Sequence, residues 1–594
     1  MKIDGKIDGK LTGIRLIIPL LLLLLPLFSY PLLWKKIFSS QVPLWGEVQA
    51  ITPGVIGLCA AGAVCTALSR LKKLWGIPRL RFLLIFAAAG VVTACLQQLI
   101  FPGPAEYVYT SLFFFLLPVA GMIFSNELKR LMPCFAALLF IPAIIVTLRS
   151  PDLSGWAGNW NWNFSLLAVS ASAWFLFFCR GNWQKAALWG LGSVTLALIL
   201  VSCFKPDITP RGTFAGLIGA TLCIAIFRNV SSGRRWAVAL WGIILTLVLF
   251  AGAVGNVFDR IRDSRFQLWR GSLECALTHF PIGVGFDRFE SMINACLPEI
   301  YYFTPFAASR HPHPHNELLN YAVSYGLAGA VFFVLLCLAL LRGLRFRDRR
   351  CVWICWSVLL LGIHGQFDVL LGIPQTGTLF LLGAGVLAGN SVTKLPLSGK
   401  NFTAHIGKFL GICLFVFAFF LAVSCGKSGY FLREARLALF RKDTVQAEIM
   451  LKKSLDSHVS ANALYTAGAV SLFNFRNPDM AIGYLERISS ELGLPMVYHS
   501  NALLARAFAI KGEYAKAINY FDEELRFYPF SALASGLRLS VLRQANADEK
   551  AITEENVRFA ALMKMRGLQV EEFSKLLRNQ ELDDAPLKTR EDEQ

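Results

Sequence analysis

Long apolar runs with few or no charges recur through the first 424 residues and limit the fold more than any other feature. They include 14–33, 82–101, 242–253, 327–341 and 406–423. Most reach the ~20 residues that a helix needs to cross a bilayer, and lipid offers the backbone no hydrogen-bond partner outside the helix itself. A composition of 55% hydrophobic and 16% charged residues agrees with a membrane protein. The first run is too long for a signal peptide and lacks a cleavage site, so we expect a retained span.

Basic residues predict the topology. The net charge of +19 is scattered through short loops and forms no single stripe, which argues against a nucleic-acid partner. Clusters recur after every second predicted span, at 70–81, 129–130, 180–185, 228–235 and 342–350. Basic loops face the cytoplasm. The pattern therefore predicts a multi-pass protein of the bacterial inner membrane with about thirteen spans, a cytoplasmic N-terminus and a periplasmic C-terminal domain.

The character of the chain changes near residue 425, where charged, amphipathic helical segments begin. The predicted fold is all-α: a polytopic membrane helix bundle (1–424), a soluble α-helical repeat domain (425–580) and a disordered acidic tail (581–594). Ala447, Ala481 and Ala517 recur at spacings of 34 and 36 residues, each followed four positions later by a large apolar residue. This resembles tetratricopeptide repeats, whose period is ~34 residues and whose stacked hairpins bind protein partners. Generic helical hairpins are the alternative.

The segment 255–317, between two predicted spans, is far longer than a turn requires. Residues 265–277 have apolar side chains at helical spacing, which predicts an amphipathic helix on the outer membrane face, ended by Pro281. The segment closes with the sequence His-Pro-His-Pro-His-Asn-Glu at 311–317. It also holds Cys275 and Cys296, which either form a disulfide or pack separately in amphipathic helices.

Three features of the outer face could perform chemistry: Arg211, Arg265 and the histidine cluster that ends at His315. Each has an ordinary alternative, because arginines at span ends contact lipid headgroups and histidines in loops are often merely solvated. The His-x-His-x-His pattern could ligate a metal. However, alternating prolines keep its backbone extended, and no nearby cysteine or acidic cluster completes a ligand set, so we expect no metal.

Several motifs occur in one order: Arg265-x-x-x-Trp269, then Pro-Ile-Gly-Val-Gly-Phe at 281–286, His-Asn-Glu-Leu-Leu at 315–319 and Tyr-Gly-Leu-Ala-Gly at 325–329. Upstream, an Asn-containing loop at 158–163 and Pro210-Arg211-Gly212 precede them. Across roughly residues 150–390 the sequence resembles the O-antigen ligase and O-antigen polymerase superfamily, which includes bacterial protein O-oligosaccharyltransferases. Pro210 replaces a serine expected from that resemblance.

The resemblance implies a metal-independent glycosyltransferase without a cofactor. It implies that the donor is an undecaprenyl-diphosphate-linked glycan and that the acceptor is a hydroxyl of a lipid, a glycan or a protein. The implied roles are diphosphate binding by Arg211 and Arg265 and catalysis by His315. The residue types suit this chemistry, since arginine matches phosphate oxygens and histidine can act as a general base. Asp368 could orient the base or the acceptor, and His313, Asn316, Glu317 and Arg270 are secondary candidates.

Two other functions remain open from the sequence. A polymerase that joins lipid-linked repeat units would use the same donor. A transporter or an assembly scaffold built on the repeat domain belongs to a different class. Transporters place ionisable residues in broken helices at mid-bilayer, whereas the charges in this chain lie at span ends, which favours chemistry at the membrane surface.

Overall fold

A computed structural model describes residues 14–28, 45–101, 103–149, 160–178, 211–229, 264–286, 288–298, 301, 313–343, 348–368, 370–390, 402–494, 497 and 499–565. Regular secondary structure in these residues is entirely helical. The helices of the first part are α1 Ile14–Phe28, α2 Trp45–Thr66, α3 Leu68–Trp75, α4 Pro78–Ile100, α5 Glu106–Ile123, α6 Ser125–Arg149, α7 Trp160–Phe178, α8 Arg211–Asn229, α9 Ser264–Thr278, α10 Phe289–Ile293, α11 Glu317–Gly343, α12 Arg349–His364 and α13 Pro374–Gly389. They are followed by α14 Phe402–Phe440, α15 Thr444–Ser457, α16 Ala461–Phe473, α17 Pro478–Ser490, α18 Ser500–Ile510, α19 Tyr514–Phe527, α20 Ala532–Gln544 and α21 Glu549–Met565.

Several of these helices could cross a membrane. Within the described ranges, four are long and apolar enough, in α4, α6, α11 and α14. A fifth is counted if α2 and α3, which meet at an 80° bend, form one broken span. These helices are consistent with a multi-pass membrane protein. The count is below the predicted thirteen, and the apolar run at 242–253 lies outside the described residues, so the higher number stays a prediction.

Small residues allow the helices to approach closely. A Cβ on Gly385 of α13 would lie 2.1 Å from the Pro118 carbonyl oxygen of α5 and 3.0 Å from the Cα of Gly121. Such contact is typical of membrane helices, where association depends on close backbone packing instead of hydrophobic burial. Helices α2, α5 and α13 contribute to one large apolar cluster in the interior of the bundle.

Basic segments meet at one end of the bundle. Arg70 of α3 donates to the Ile123 carbonyl and to Glu127, both at 3.0 Å. Lys129 of α6 pairs with Asp348, just before α12, at 2.9 Å. The clusters at 70–81, 129–130 and 342–350 therefore share one end, whereas the start of α11 and the end of α12 lie at the other.

Helix α11 is interrupted at Gly326, whose φ of 58° and ψ of −140° are not helical. The segment 281–285 packs against this break. The Leu327 N–H donates to the Pro281 carbonyl at 2.9 Å, and the Val284 and Gly285 N–H groups donate to the Val323 and Ser324 carbonyls at 2.9 and 3.1 Å. The interruption is tolerated because another backbone segment satisfies the freed polar groups.

The C-terminal part has its own apolar core. Helix α14 is continuous over 39 residues, and the predicted domain boundary at 424 lies inside it. Helices α15 to α21 follow with short connections and pack mainly on their neighbours in sequence. The three alanines of the predicted repeats, Ala447, Ala481 and Ala517, are fully buried. The predicted tail at 581–594 lies outside the described residues.

Candidate active site

Two segments meet at the end of the bundle opposite the basic clusters. Residues 315–317 lead into α11, and residues 365–368 and 370–371 follow α12. The Glu317 N–H donates to the Gly365 carbonyl at 2.8 Å. The Asn316 side-chain amide donates to the Gln366 carbonyl at 3.0 Å, and its oxygen accepts the Leu319 N–H at 3.0 Å, which caps α11. These bonds fix the two segments against each other.

His315 and Asp368 form an ion-pair-type contact at this junction. His315 Nδ1 lies 3.1 Å from Asp368 Oδ1, and the side chains are 26% and 7% exposed. An ionised carboxylate only accepts hydrogen bonds, so His315 Nδ1–H is the donor in this contact. His315 also has a φ of 51°, in the left-handed region that residues with a side chain seldom adopt. The contact presents a partly exposed, oriented base.

A buried carboxylate holds the segment that carries Asp368. Glu317 is fully buried, and its Oε1 accepts the N–H groups of Leu370 and Leu371 at 2.7 and 2.6 Å. Asn320 donates to Oε2 at 3.4 Å. Glu317, a secondary candidate in the sequence, therefore positions the backbone beside the proposed base.

Helix α9 brings Arg265 to the same place. It buries Leu268 and Trp269 and exposes Leu277, and its predicted position on the outer membrane face stays a prediction. Arg265 Nη1 donates to the Phe367 carbonyl at 3.2 Å. The Trp269 and Phe367 ring centroids are 6.4 Å apart. The arginine thus lies on the residue that precedes Asp368.

Helix α8 begins at Arg211, whose side chain lies outside the described residues. Its neighbour Gly212 packs on His364 at the end of α12, since a Cβ on Gly212 would lie 2.2 Å from the imidazole Cδ2. His364 is fully buried, and its Nδ1 lies 2.7 Å from Ser165 Oγ. The start of α8 therefore contacts His364, which precedes Asp368 by four residues in the chain. No role was predicted for His364 from the sequence, although an ionisable residue at the end of an apolar helix is itself a signal.

The structure brings one of the remaining predicted residues to His315. His313 packs edge-on against His315, with ring centroids 4.5 Å apart. Arg270 lies on the exposed side of α9. His311 lies outside the described residues. Within the described ranges no group of three or more metal-ligating side chains occurs.

The described part of the site combines the contact between His315 and Asp368 with the neighbouring guanidinium of Arg265, at one end of the helix bundle. Such groups can remove a proton from a hydroxyl and bind an anionic leaving group. Comparison of the chain with protein-family models, with curated proteins and with solved structures finds no match.

Proposed function

We propose that this protein is a glycosyltransferase of the O-antigen ligase or O-oligosaccharyltransferase type. It transfers a glycan from a polyprenyl diphosphate, expected to be undecaprenyl diphosphate, to an acceptor hydroxyl at the periplasmic face of the inner membrane. The single observation that carries the proposal is the 3.1 Å contact between His315 Nδ1 and Asp368 Oδ1, next to Arg265.

The reaction needs one proton transfer and one displacement. His315 Nε2 accepts the proton of the acceptor hydroxyl, and Asp368 stabilises the imidazolium that forms. The acceptor oxygen attacks the anomeric carbon of the donor sugar, and the bond from that carbon to the diphosphate oxygen breaks. Arg265 and Arg211 bind the departing diphosphate, whose charge a guanidinium matches through paired N–H donors. The donor is already activated, so no nucleotide is consumed.

The remaining parts of the chain support this assignment. The three described basic clusters share the end opposite the site, which favours a periplasmic site under the positive-inside rule. The buried alanines of α15, α17 and α19 favour a tetratricopeptide-type array, which could hold a protein partner or a protein acceptor.

Purified protein in nanodiscs tests the proposal directly. We would incubate it with a labelled polyprenyl-diphosphate oligosaccharide and candidate acceptor lipids or proteins, with and without a chelator. We expect free polyprenyl diphosphate and labelled acceptor in equal amounts in both cases. A lengthened lipid-linked glycan would identify a polymerase instead. An unchanged donor with every acceptor would contradict the proposal, and activity that required a divalent ion would contradict its metal-independent form.

A further inference from the structure

Two cysteines lie together in the outer segment, away from the proposed site. Cys275 of α9 is fully buried and Cys296, just after α10, is 9% exposed. Both belong to one small apolar cluster that also contains Leu268 and Phe289. Both are free thiols in this structure, and the interaction between their side chains shifts the pKa of each. The sequence left open whether the two residues pair or pack separately, and the structure brings them into contact.

The backbone around the pair is closely packed. Gly271 lies one turn before Cys275, and a Cβ there would lie 3.1 Å from the Cys296 carbonyl oxygen. Absence of a side chain at 271 therefore lets α9 approach the segment that carries Cys296. Close approach of the two backbones is what a disulfide requires.

The surroundings also favour thiol chemistry. The hydrogen bond from the Cys275 thiol lowers the pKa of Cys296, and the same contact raises the pKa of Cys275. The thiolate is the attacking species in disulfide exchange, and Cys296 is the more accessible of the two. His279 Nδ1, which lies 2.9 Å from the Cys275 carbonyl, is 3.9 Å from the Cys275 sulfur.

We propose that Cys275 and Cys296 form a disulfide that links α9 to the segment after α10. The proposal rests on the proposed periplasmic location of this segment, because disulfides persist in oxidising compartments. The Cys296 thiolate attacks a disulfide-bearing oxidant and releases one of its thiols. The Cys275 thiol then attacks the Cys296 sulfur of the mixed disulfide, loses its proton and releases the second thiol. The two cysteines lose two electrons and two protons, and the oxidant's disulfide is reduced to two thiols.

This bond would fix the helix that carries Arg265. In the described residues, α9 packs on the following segment through a small apolar cluster. A covalent link between residues 275 and 296 closes a short loop and restricts the outer segment in its unfolded forms. The link leaves both proposed catalytic side chains, His315 and Asp368, untouched.

Mass spectrometry of the full-length protein tests the link. Cells are lysed directly into SDS with N-ethylmaleimide, which blocks every free thiol, and the protein is digested with trypsin without reduction. Cleavage after basic residues yields peptides 271–288 and 289–310, each with one cysteine. We expect the two peptides to be joined and to separate on reduction. Peptide 131–149, which contains only Cys134, should be fully alkylated and serves as the control.

A Cys275→Ser variant sharpens the result. We expect its peptide 289–310 to carry N-ethylmaleimide on Cys296 before any reduction. Both wild-type peptides could instead be recovered as maleimide adducts, while a reporter fused near residue 300 shows a periplasmic location. That result would overturn the disulfide and would not affect the proposed function. If the protein showed no glycan transfer in the nanodisc assay, the disulfide-linked peptides would still be recovered. The two proposals can therefore fail separately.

Discussion

His315 has a backbone conformation that disfavours most side chains, and its neighbours hold it there. Asn316 and Glu317 bond to the 365–371 segment on either side of the histidine contact. A left-handed φ costs of order 1–3 kcal/mol and persists only when surrounding contacts determine it. At the residue scale, His315 therefore lies in a strained backbone conformation beside Asp368. Two backbone N–H bonds to Glu317 hold the segment that carries this aspartate.

Asp368→Asn tests the orienting carboxylate. An amide cannot stabilise the imidazolium, so we expect the transfer rate to fall roughly 100-fold or more while the protein stays folded. The purified variant is measured by release of polyprenyl diphosphate, next to its melting temperature. Asp348→Asn, at the opposite end of the bundle, is the matched control and should retain activity. An unchanged rate for Asp368→Asn would remove its proposed role.

Arg265→Lys tests the guanidinium. Lysine keeps the charge but loses the forked donor geometry, so we expect transfer to fall at least roughly tenfold, or about 1.4 kcal/mol of transition-state stabilisation. The rate is compared with that of Arg130→Lys at the basic end, which should be unaffected. Full activity of Arg265→Lys would mean that the arginine only anchors α9 at the membrane surface.

Most of the candidate site residues could be predicted from the sequence, but the contacts between them could not. Motif order identified Arg265 and His315 as members of one site, and Asp368 was singled out as a possible orienting group. Its contact with His315 spans 53 residues, and no periodicity specifies such a pairing. The sequence also does not predict that Glu317 accepts the Leu370 and Leu371 N–H groups, because nearly every residue offers a backbone N–H.

At the element scale, the break in α11 is the point where three parts of the chain meet. Segment 281–285 satisfies the backbone around Gly326, and Gln97 of α4 donates to the Ile282 and Ser324 carbonyls, both at 2.7 Å. One side chain thereby joins α4, the outer segment and α11. Apolar periodicity predicted α11 as a span but not its interruption, because the interruption depends on a segment more than forty residues earlier in the chain.

Gly326→Ala tests this junction. A Cβ there would lie 1.9 Å from the Pro281 carbonyl oxygen, and the φ of 58° disfavours alanine. We expect a loss of at least about 3 kcal/mol in the free energy of unfolding, or failure to accumulate. Gly483→Ala in α17, where a Cβ meets nothing within 4 Å, is the control and should be neutral or stabilising. Equal melting temperatures for the two variants would contradict the packing.

At the scale of the whole molecule, the two ends of the bundle hold different groups of charged residues. One end holds the ion pairs of Arg70 and Lys129, and the other holds the candidate site. Tyr107, at the start of α5 near the site, packs against the C-terminal core. Hydropathy and basic clusters predicted this polarity without any knowledge of packing, whereas the uninterrupted course of α14 from 402 to 440 crosses a boundary that composition alone placed at 424.

Reporter fusions test the orientation. A reporter that is active only in the periplasm should be active when fused near residue 300 or near residue 500 and silent near residue 345, because basic loops stay in the cytoplasm. Immunoblots must show equal amounts of each fusion. Equal activity at residues 345 and 500 would place the candidate site on the wrong side of the membrane for a periplasmic donor.

The most direct test of the central claim compares two histidines in the nanodisc transfer assay. His315→Ala removes the proposed base, so we expect release of polyprenyl diphosphate to fall at least roughly 100-fold with the protein at its normal level and melting temperature. His311→Ala, in the same proline-rich stretch, should keep most of the activity. Full transfer by His315→Ala would contradict the account.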